Sequence, residues 1–98
     1  MTPETASRLA DTGIQLAAES PEFRVFQRGA CVALVKAAGA AGAAIGSTGM
    51  MTESGLAFLI WREGRPFLAA KGRETAAGIG QVEEIQQFAS DLKRALGG

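Results

Sequence analysis

The segment GLAFLIWREGRPFLAAKG, residues 55–72, restricts the possible folds more than any other part of the chain. Residues 56–61 are an unbroken apolar run of strand length, which predicts a strand. The tetrapeptide REGR that follows is typical of a hairpin turn, with Gly64 taking a positive φ. Residues 67–70 predict the returning strand, and Pro66 before them marks a strand start or a sheet edge. The segment therefore predicts a β-hairpin.

The first strand of this hairpin is apolar on both faces, because side chains alternate along a strand. Its side chains divide into Leu56, Phe58 and Ile60 on one face, and Ala57, Leu59 and Trp61 on the other. A strand of this kind is normally covered on both faces. Two helices of one small chain can lie on the same side of a sheet. We therefore expect a second subunit to cover the other face, and Trp61→Lys to weaken that association.

Helical patterns occupy both ends of the chain. Residues 3–18 predict an N-terminal helix, because small and apolar residues recur there at helical spacing and Pro3 suits the first helical position. Residues 81–98 predict a C-terminal helix with a continuous apolar stripe. In that helix Glu83 and Glu84 are expected in the first turn, where the helix dipole favours acidic side chains.

The remaining segments complete the predicted fold. Residues 23–36 predict a second hairpin around an Arg-Gly turn, although residues 30–44 also fit a helix of small residues. Residues 72–80 predict a loop. We therefore expect a single α+β domain over residues 1–98, with a mainly antiparallel sheet of about four strands in two hairpins, packed by an N-terminal and a C-terminal helix.

The stretch KAAGAAGAAIGSTGMM, residues 36–51, is the most unusual in composition. It does not match a phosphate-binding loop, because Ala41 and Ser47 replace the first glycine and the lysine of that motif. It is too short to span a membrane and too apolar for a flexible linker. Small residues allow backbones to approach closely, which favours a packing segment or a glycine-kinked strand. The conformation of residues 37–55 stays open at this point.

Composition excludes several chemistries. The 98 residues carry no net charge, no histidine and no tyrosine, and Cys31 is the single cysteine. Histidine-dependent catalytic systems, histidine-ligated metals and internal disulfides are therefore excluded. Residues 22–75 carry seven basic and four acidic side chains, which gives weak support for an anionic ligand. The N-terminus does not resemble a signal peptide, so we expect a cytoplasmic protein.

No catalytic residue, metal ligand or cofactor site is predicted. Cys31 lies in an apolar run and lacks the partner that a nucleophilic thiol needs. Glu53, Glu63 and Glu74 fall in turns or loops. A groove for a ligand is expected between helix and sheet or at a subunit interface. Its predicted lining consists of four apolar side chains and two cationic anchors: Met50, Met51, Leu59, Trp61, Arg62 and Arg65.

The function predicted from these features is a non-catalytic binding or regulatory domain that acts as a homo-oligomer, most simply a homodimer. The expected ligand is a small anionic or apolar molecule, with no nucleic-acid and no membrane partner. One alternative is a small histidine-free enzyme, a hydrolase or isomerase, with a carboxylate base and an arginine anchor. Burial of Glu53, Glu63 or Glu74 in a cleft would support that alternative. Another is a structural subunit of a heteromeric assembly.

Overall fold

A computed structural model describes residues 3–36, 44–53 and 55–96 of the chain. Its elements, in chain order, are α1 (Pro3–Asp11), β1 (Gln15–Glu19), β2 (Phe23–Arg28), β3 (Cys31–Lys36), β4 (Ala44–Thr52), β5 (Gly55–Arg62), β6 (Arg65–Ala70), β7 (Arg73–Ala76) and α2 (Ile79–Ala95). The strands form one sheet in which each strand pairs antiparallel with the next along the chain.

The sheet is larger than the sequence predicts. The α+β class and the antiparallel pairing are confirmed, and both predicted hairpins are present, as β2–β3 and β5–β6. The prediction of about four strands is wrong, because the described residues form seven. The three further strands are β1, β4 and β7. Strand β1 lies in the predicted N-terminal helix and β7 in the predicted loop, whereas β4 lies in the stretch for which a glycine-kinked strand is one of the interpretations.

Strand β1 exists because α1 ends early. The predicted helix over residues 3–18 stops at Asp11, since Gly13 takes a left-handed φ of +74°. The Gly13 N–H donates to the Ala10 carbonyl at 3.0 Å, and the Ile14 N–H donates to the Leu9 carbonyl at 2.9 Å. This pair of bonds is the Schellman arrangement that ends many helices, and the buried Leu9 and Ile14 side chains accompany it.

Strand β4 occupies the second half of the alanine- and glycine-rich stretch; residues 37–43 of that stretch lie outside the described residues. Gly49 makes the closest backbone approach in the strand. A Cβ atom placed on Gly49 would lie 1.9 Å from the Ala57 carbonyl oxygen and 2.7 Å from Phe58 Cα. Only glycine therefore allows β4 to pair with β5 at this point.

Strand β7 replaces part of the predicted loop at residues 72–80. Lys71 and Gly72 connect β6 to it with φ angles of +49° and +79°. Glu63 and Gly64, in the predicted β5–β6 turn, have φ angles of +51° and +76°. Both connections have the two positive φ angles of the tight turn that suits the twist of a hairpin. Strand β7 is short and polar and every residue in it is exposed, so it has no apolar pattern that would predict a strand. The turn before it determines its pairing with β6.

Both helices pack on one face of the sheet. The core that they form with the strands includes Leu9 of α1, the fully buried Ile85, Phe88 and Leu92 of α2, and Phe26 of β2. Neither described helix is long and apolar enough to cross a membrane.

Helix α2 begins earlier than the sequence predicts. It starts at Ile79, and its first turn contains no acidic residue. The placement of Glu83 and Glu84 in that turn is therefore wrong. Gly78 precedes the helix with an extended backbone and lies between β7 and α2, in the part of the predicted loop that the structure confirms.

The opposite face of the sheet carries a second apolar surface, which points away from α1 and α2. The strand register places these side chains next to one another, because Val25 pairs with Leu34, Met51 with Leu56 and Ile60 with Phe67. We call this surface the helix-free face. Its members are the exposed Met51 and the half-buried Val25, Leu34, Leu56, Phe58, Ile60 and Phe67. Val32 lies on the same face but has only 2% of its surface exposed.

Candidate functional site

A cavity of about 530 Å³ lies on the helix-bearing side of the sheet, beside the β6–β7 hairpin and the first turn of α2. Its apolar part comes from Ala57 of β5 with Leu68 and Ala70 of β6. Ala57 and Leu68 belong to the core, with exposed fractions of 2% and 6%. Buried side chains of the sheet thus form the floor of the cavity, and their packing in the core holds them in place.

Two cationic side chains line the same cavity. Lys71 and Arg73 lie on either side of Gly72 in the β6–β7 turn, and both are exposed. The ion pairs among the described residues involve other side chains, so neither cation is neutralised by a carboxylate of the fold. Their positive charges are therefore available to an incoming anion.

Polar groups complete the lining. Gln81 of α2 accepts a hydrogen bond at its Oε1 atom from the Gly78 N–H, at 2.8 Å. That bond fixes the side-chain amide and leaves its NH₂ group as a donor. Thr75 of β7 adds a hydroxyl group. Glu53 is the one carboxylate among the described lining residues, so the charged lining carries one more positive than negative group.

The predicted lining residues do not come together in one place. Met50 is buried in the core, and Leu59 packs against the core on the helix-bearing side. Met51 lies on the helix-free face with 51% of its surface exposed. The two adjacent methionines therefore point to opposite sides of the sheet, as alternation along a strand requires.

The other three predicted residues lie at the far end of β5 from the cavity. Trp61 is 53% exposed and shares the helix-bearing side with Leu59, so it does not belong to the uncovered second face. Arg62 and Arg65 are cross-strand neighbours next to the turn, and the Arg62 Nε atom donates to a Glu74 carboxylate oxygen. None of the six predicted residues lines the cavity.

The sequence contained a signal for the cavity that the pattern analysis missed. The tripeptide Lys71-Gly72-Arg73 repeats the features of the REGR turn: a glycine after a residue that can take a positive φ, with basic side chains around it. Interpreted as a second tight turn, it would have extended the sheet by one strand. It would also have placed two cations at one end of that sheet.

The carboxylates do not form a buried general base. Glu53, Glu63 and Glu74 are all exposed, and Glu74 is paired with Arg62. Asp91 lies in a smaller groove of about 190 Å³ between α1 and α2. Hydrogen bonds from Arg28 and from Gln87 hold the pKa of its carboxyl below the ordinary value, which makes it a weak base.

Cys31 is a core residue with 1% of its surface exposed. Burial raises the pKa of its thiol, the negative charge of Glu84 raises it further, and Arg28 opposes both effects. A thiol in this environment is a poor nucleophile. Within residues 3–36, 44–53 and 55–96, no three carboxylate or thiol groups come together as ligands for a metal ion.

Comparison of the chain with protein-family models, with curated proteins and with solved structures finds no match. We therefore infer the function from the geometry of this chain alone.

Proposed function

We propose that this protein is a small non-catalytic binding or regulatory domain that acts as a homodimer, in which two copies pack through their helix-free faces. The supporting observation is the distribution of apolar side chains about the sheet. Strands β3, β5 and β6 carry them on both faces, whereas α1 and α2 cover one face. A sheet that is apolar on both sides is stabilised when both sides are removed from water.

The size of the helix-free face suits a small dimer interface. Five strands, β2 to β6, spaced about 4.8 Å apart, with about 18 Å of each in the ladder, give a face of roughly 430 Å² in projection. Accessible area exceeds projected area, because side chains stand out from the sheet. The face is still smaller than the area of about 800 Å² that each partner contributes to a standard protein interface, and it fits an interface at the low end of the size range.

The charge distribution favours a second copy as the partner. The centre of the helix-free face is uncharged, and its charged neighbours, Lys36, Arg62, Arg65 and Glu74, lie at strand ends or on the edge strand. Arg62 and Glu74 neutralise each other. An uncharged centre meets an identical surface without leaving a charge buried and unpaired. Two such sheets pack face to face at about 10 Å, as in a β-sandwich.

The exposure of the candidate carboxylates favours a binding role over a catalytic one. The enzyme alternative needs a carboxylate base in a dry cleft, and the three glutamates proposed for it are exposed to water. The cavity instead offers fixed hydrogen-bond donors and unpaired cations above an apolar floor, which is the composition of a ligand pocket.

A matched pair of variants tests the dimer. Phe58→Lys puts a charge in the middle of the helix-free face, and Trp61→Lys puts the same charge on the other side of the same strand. Sedimentation velocity of the wild type should give twice the chain mass. Phe58→Lys should give a folded monomer at the same concentration, while Trp61→Lys stays dimeric.

Three results would contradict the homodimer. One is equal weakening of the dimer by both variants, and a second is loss of the dimer by Trp61→Lys alone. The third is a wild-type monomer. If that monomer also aggregates and binds apolar dyes, the structural subunit of a heteromer becomes the better account.

A further inference from the structure

We infer that the cavity beside the β6–β7 hairpin is a binding site for a small organic monoanion, a carboxylate attached to a short apolar body. This inference depends on the proposed binding role and names its ligand class. It does not depend on the homodimer, because the cavity lies on the helix-bearing side of the sheet and the proposed interface lies on the other side.

The two cations define the charge of the ligand. Lys71 and Arg73 flank one glycine at a tight turn, and both side chains line the cavity. The arginine guanidinium can grip both oxygens of a carboxylate, and the lysine ammonium supplies a point charge beside it. The NH₂ group of Gln81 is a further donor, held in place by its bond to Gly78.

The floor defines the rest of the ligand. Ala57, Leu68 and Ala70 present only apolar atoms from their side chains, so a fully hydrated inorganic ion would gain nothing from them. An alkyl or aryl body would cover the accessible part of the half-buried Ala70, since the fold already removes Ala57 and Leu68 from water. The volume of about 530 Å³ is within the range of pockets that hold small organic ligands.

Glu53 sets an upper limit to the charge of the ligand. Its carboxylate lines the cavity together with the two cations, which leaves a net surplus of one positive charge. A single negative charge is stabilised in such a site, whereas polyphosphates and nucleic-acid backbones would meet repulsion after the first charge is paired. The same carboxylate can accept a hydrogen bond from a hydroxyl or ammonium group on the ligand.

The test uses hexanoate as the probe, with the isosteric hexanamide and inorganic phosphate as comparisons. Each is titrated into the full-length ¹⁵N-labelled protein, and the amide shifts are followed. Hexanoate should give saturable shifts centred on residues 70–76 and on Gln81. Hexanamide should bind at least about tenfold more weakly, because it lacks the charge. Phosphate should also bind at least about tenfold more weakly, because it gains nothing from the floor.

Matched variants complete the test. The double variant Lys71→Gln, Arg73→Gln should weaken hexanoate binding by about tenfold or more without changing the unfolding midpoint. Arg65→Gln removes a cation that is also exposed, from the other hairpin, and should leave binding unchanged.

Four results would overturn the inference: no saturable binding of hexanoate, shifts confined to residues outside the cavity, equal binding of hexanamide or phosphate, or an equal loss of affinity in Arg65→Gln. The titrations are repeated on Phe58→Lys. If Phe58→Lys still binds hexanoate, the cavity binds its ligand independently of the dimer, whatever the number of subunits in that variant.

Discussion

Arg28, at the end of β2, donates a hydrogen bond of 2.9 Å from Nη1 to Oδ2 of Asp91 in α2, 63 positions further along the chain. The same nitrogen donates to the Thr12 carbonyl, just after α1, at 3.1 Å. The guanidinium carbon lies 5.6 Å from the centre of the Phe88 ring. One half-buried side chain thus joins the sheet to both helices on the covered face.

Removing this ion pair should destabilise the protein. We expect Asp91→Asn to lower the free energy of unfolding by about 1–3 kcal/mol, because the bond joins two partly buried charged groups. Glu83→Gln is the control, since Glu83 is exposed on the same helix. Urea denaturation at pH 7 measures both variants. Equal stability of Asp91→Asn and the control would show that the ion pair contributes nothing.

The same pair predicts a dependence of stability on acid. The Arg28 guanidinium is the main cause of the lowered pKa of the Asp91 carboxyl, and Gln87 contributes a second hydrogen bond. A carboxyl with a lowered folded-state pKa stabilises the fold at a pH above its unfolded value of about 3.9, and that stabilisation is lost as the pH falls through the folded value. The wild type should therefore lose stability between about pH 5 and pH 2 more steeply than Asp91→Asn. Urea denaturation across that range measures the free energy of unfolding at each pH. The same pH dependence in the wild type and in Asp91→Asn would contradict the lowered pKa of the Asp91 carboxyl.

Much of the fold can be predicted from local sequence. The β5–β6 hairpin follows from an apolar run, a turn glycine and a returning apolar run, all within one segment. Helix α2 follows from its apolar stripe. Strand β1 could not be predicted in this way, because α1 and β1 together keep helical spacing and the deciding feature is Gly13. A glycine inside an apparent helix and a glycine that ends one differ in φ, which the pattern alone does not give.

The candidate site was harder to predict than the fold. The cavity joins Lys71 and Arg73 to Ala57 and Gln81, from a turn, a strand and a helix that meet only in the tertiary structure. Sequence reasoning instead grouped Trp61 with its neighbours along the chain. The apolar pattern does not show which face of β5 the helices cover, because both faces of the strand are apolar.

The close approach of β4 to β5 predicts a strict need for glycine at position 49. Gly49→Ala should lower the free energy of unfolding by about 1–3 kcal/mol, because the added methyl group would overlap the backbone of β5. Gly80→Ala is the matched control: its Cβ would meet no atom within 4 Å, and alanine favours a helix. Chemical denaturation should give the control wild-type stability or better. A Gly49→Ala protein as stable as the wild type would show that β4 and β5 can separate without cost.

Burial of Cys31 predicts an unreactive thiol in the folded protein. The raised pKa keeps the thiol protonated near neutral pH, and the core excludes the reagent. Ellman's reagent at pH 8 should leave the native protein unlabelled for the time that unfolding requires, and should label it fully in denaturant. Rapid stoichiometric labelling of the native protein would place Cys31 at the surface.

Intermolecular nuclear Overhauser effects would show whether two copies meet through their helix-free faces. A sample mixed from ¹³C-labelled and unlabelled protein reports only contacts between subunits when the spectrum is isotope-filtered. We expect contacts from the methyl groups of Ile60 and Leu34 to the ring of Phe58 in the partner. Intermolecular contacts confined to β1, β7 or the helices, or no intermolecular contacts at all, would contradict it.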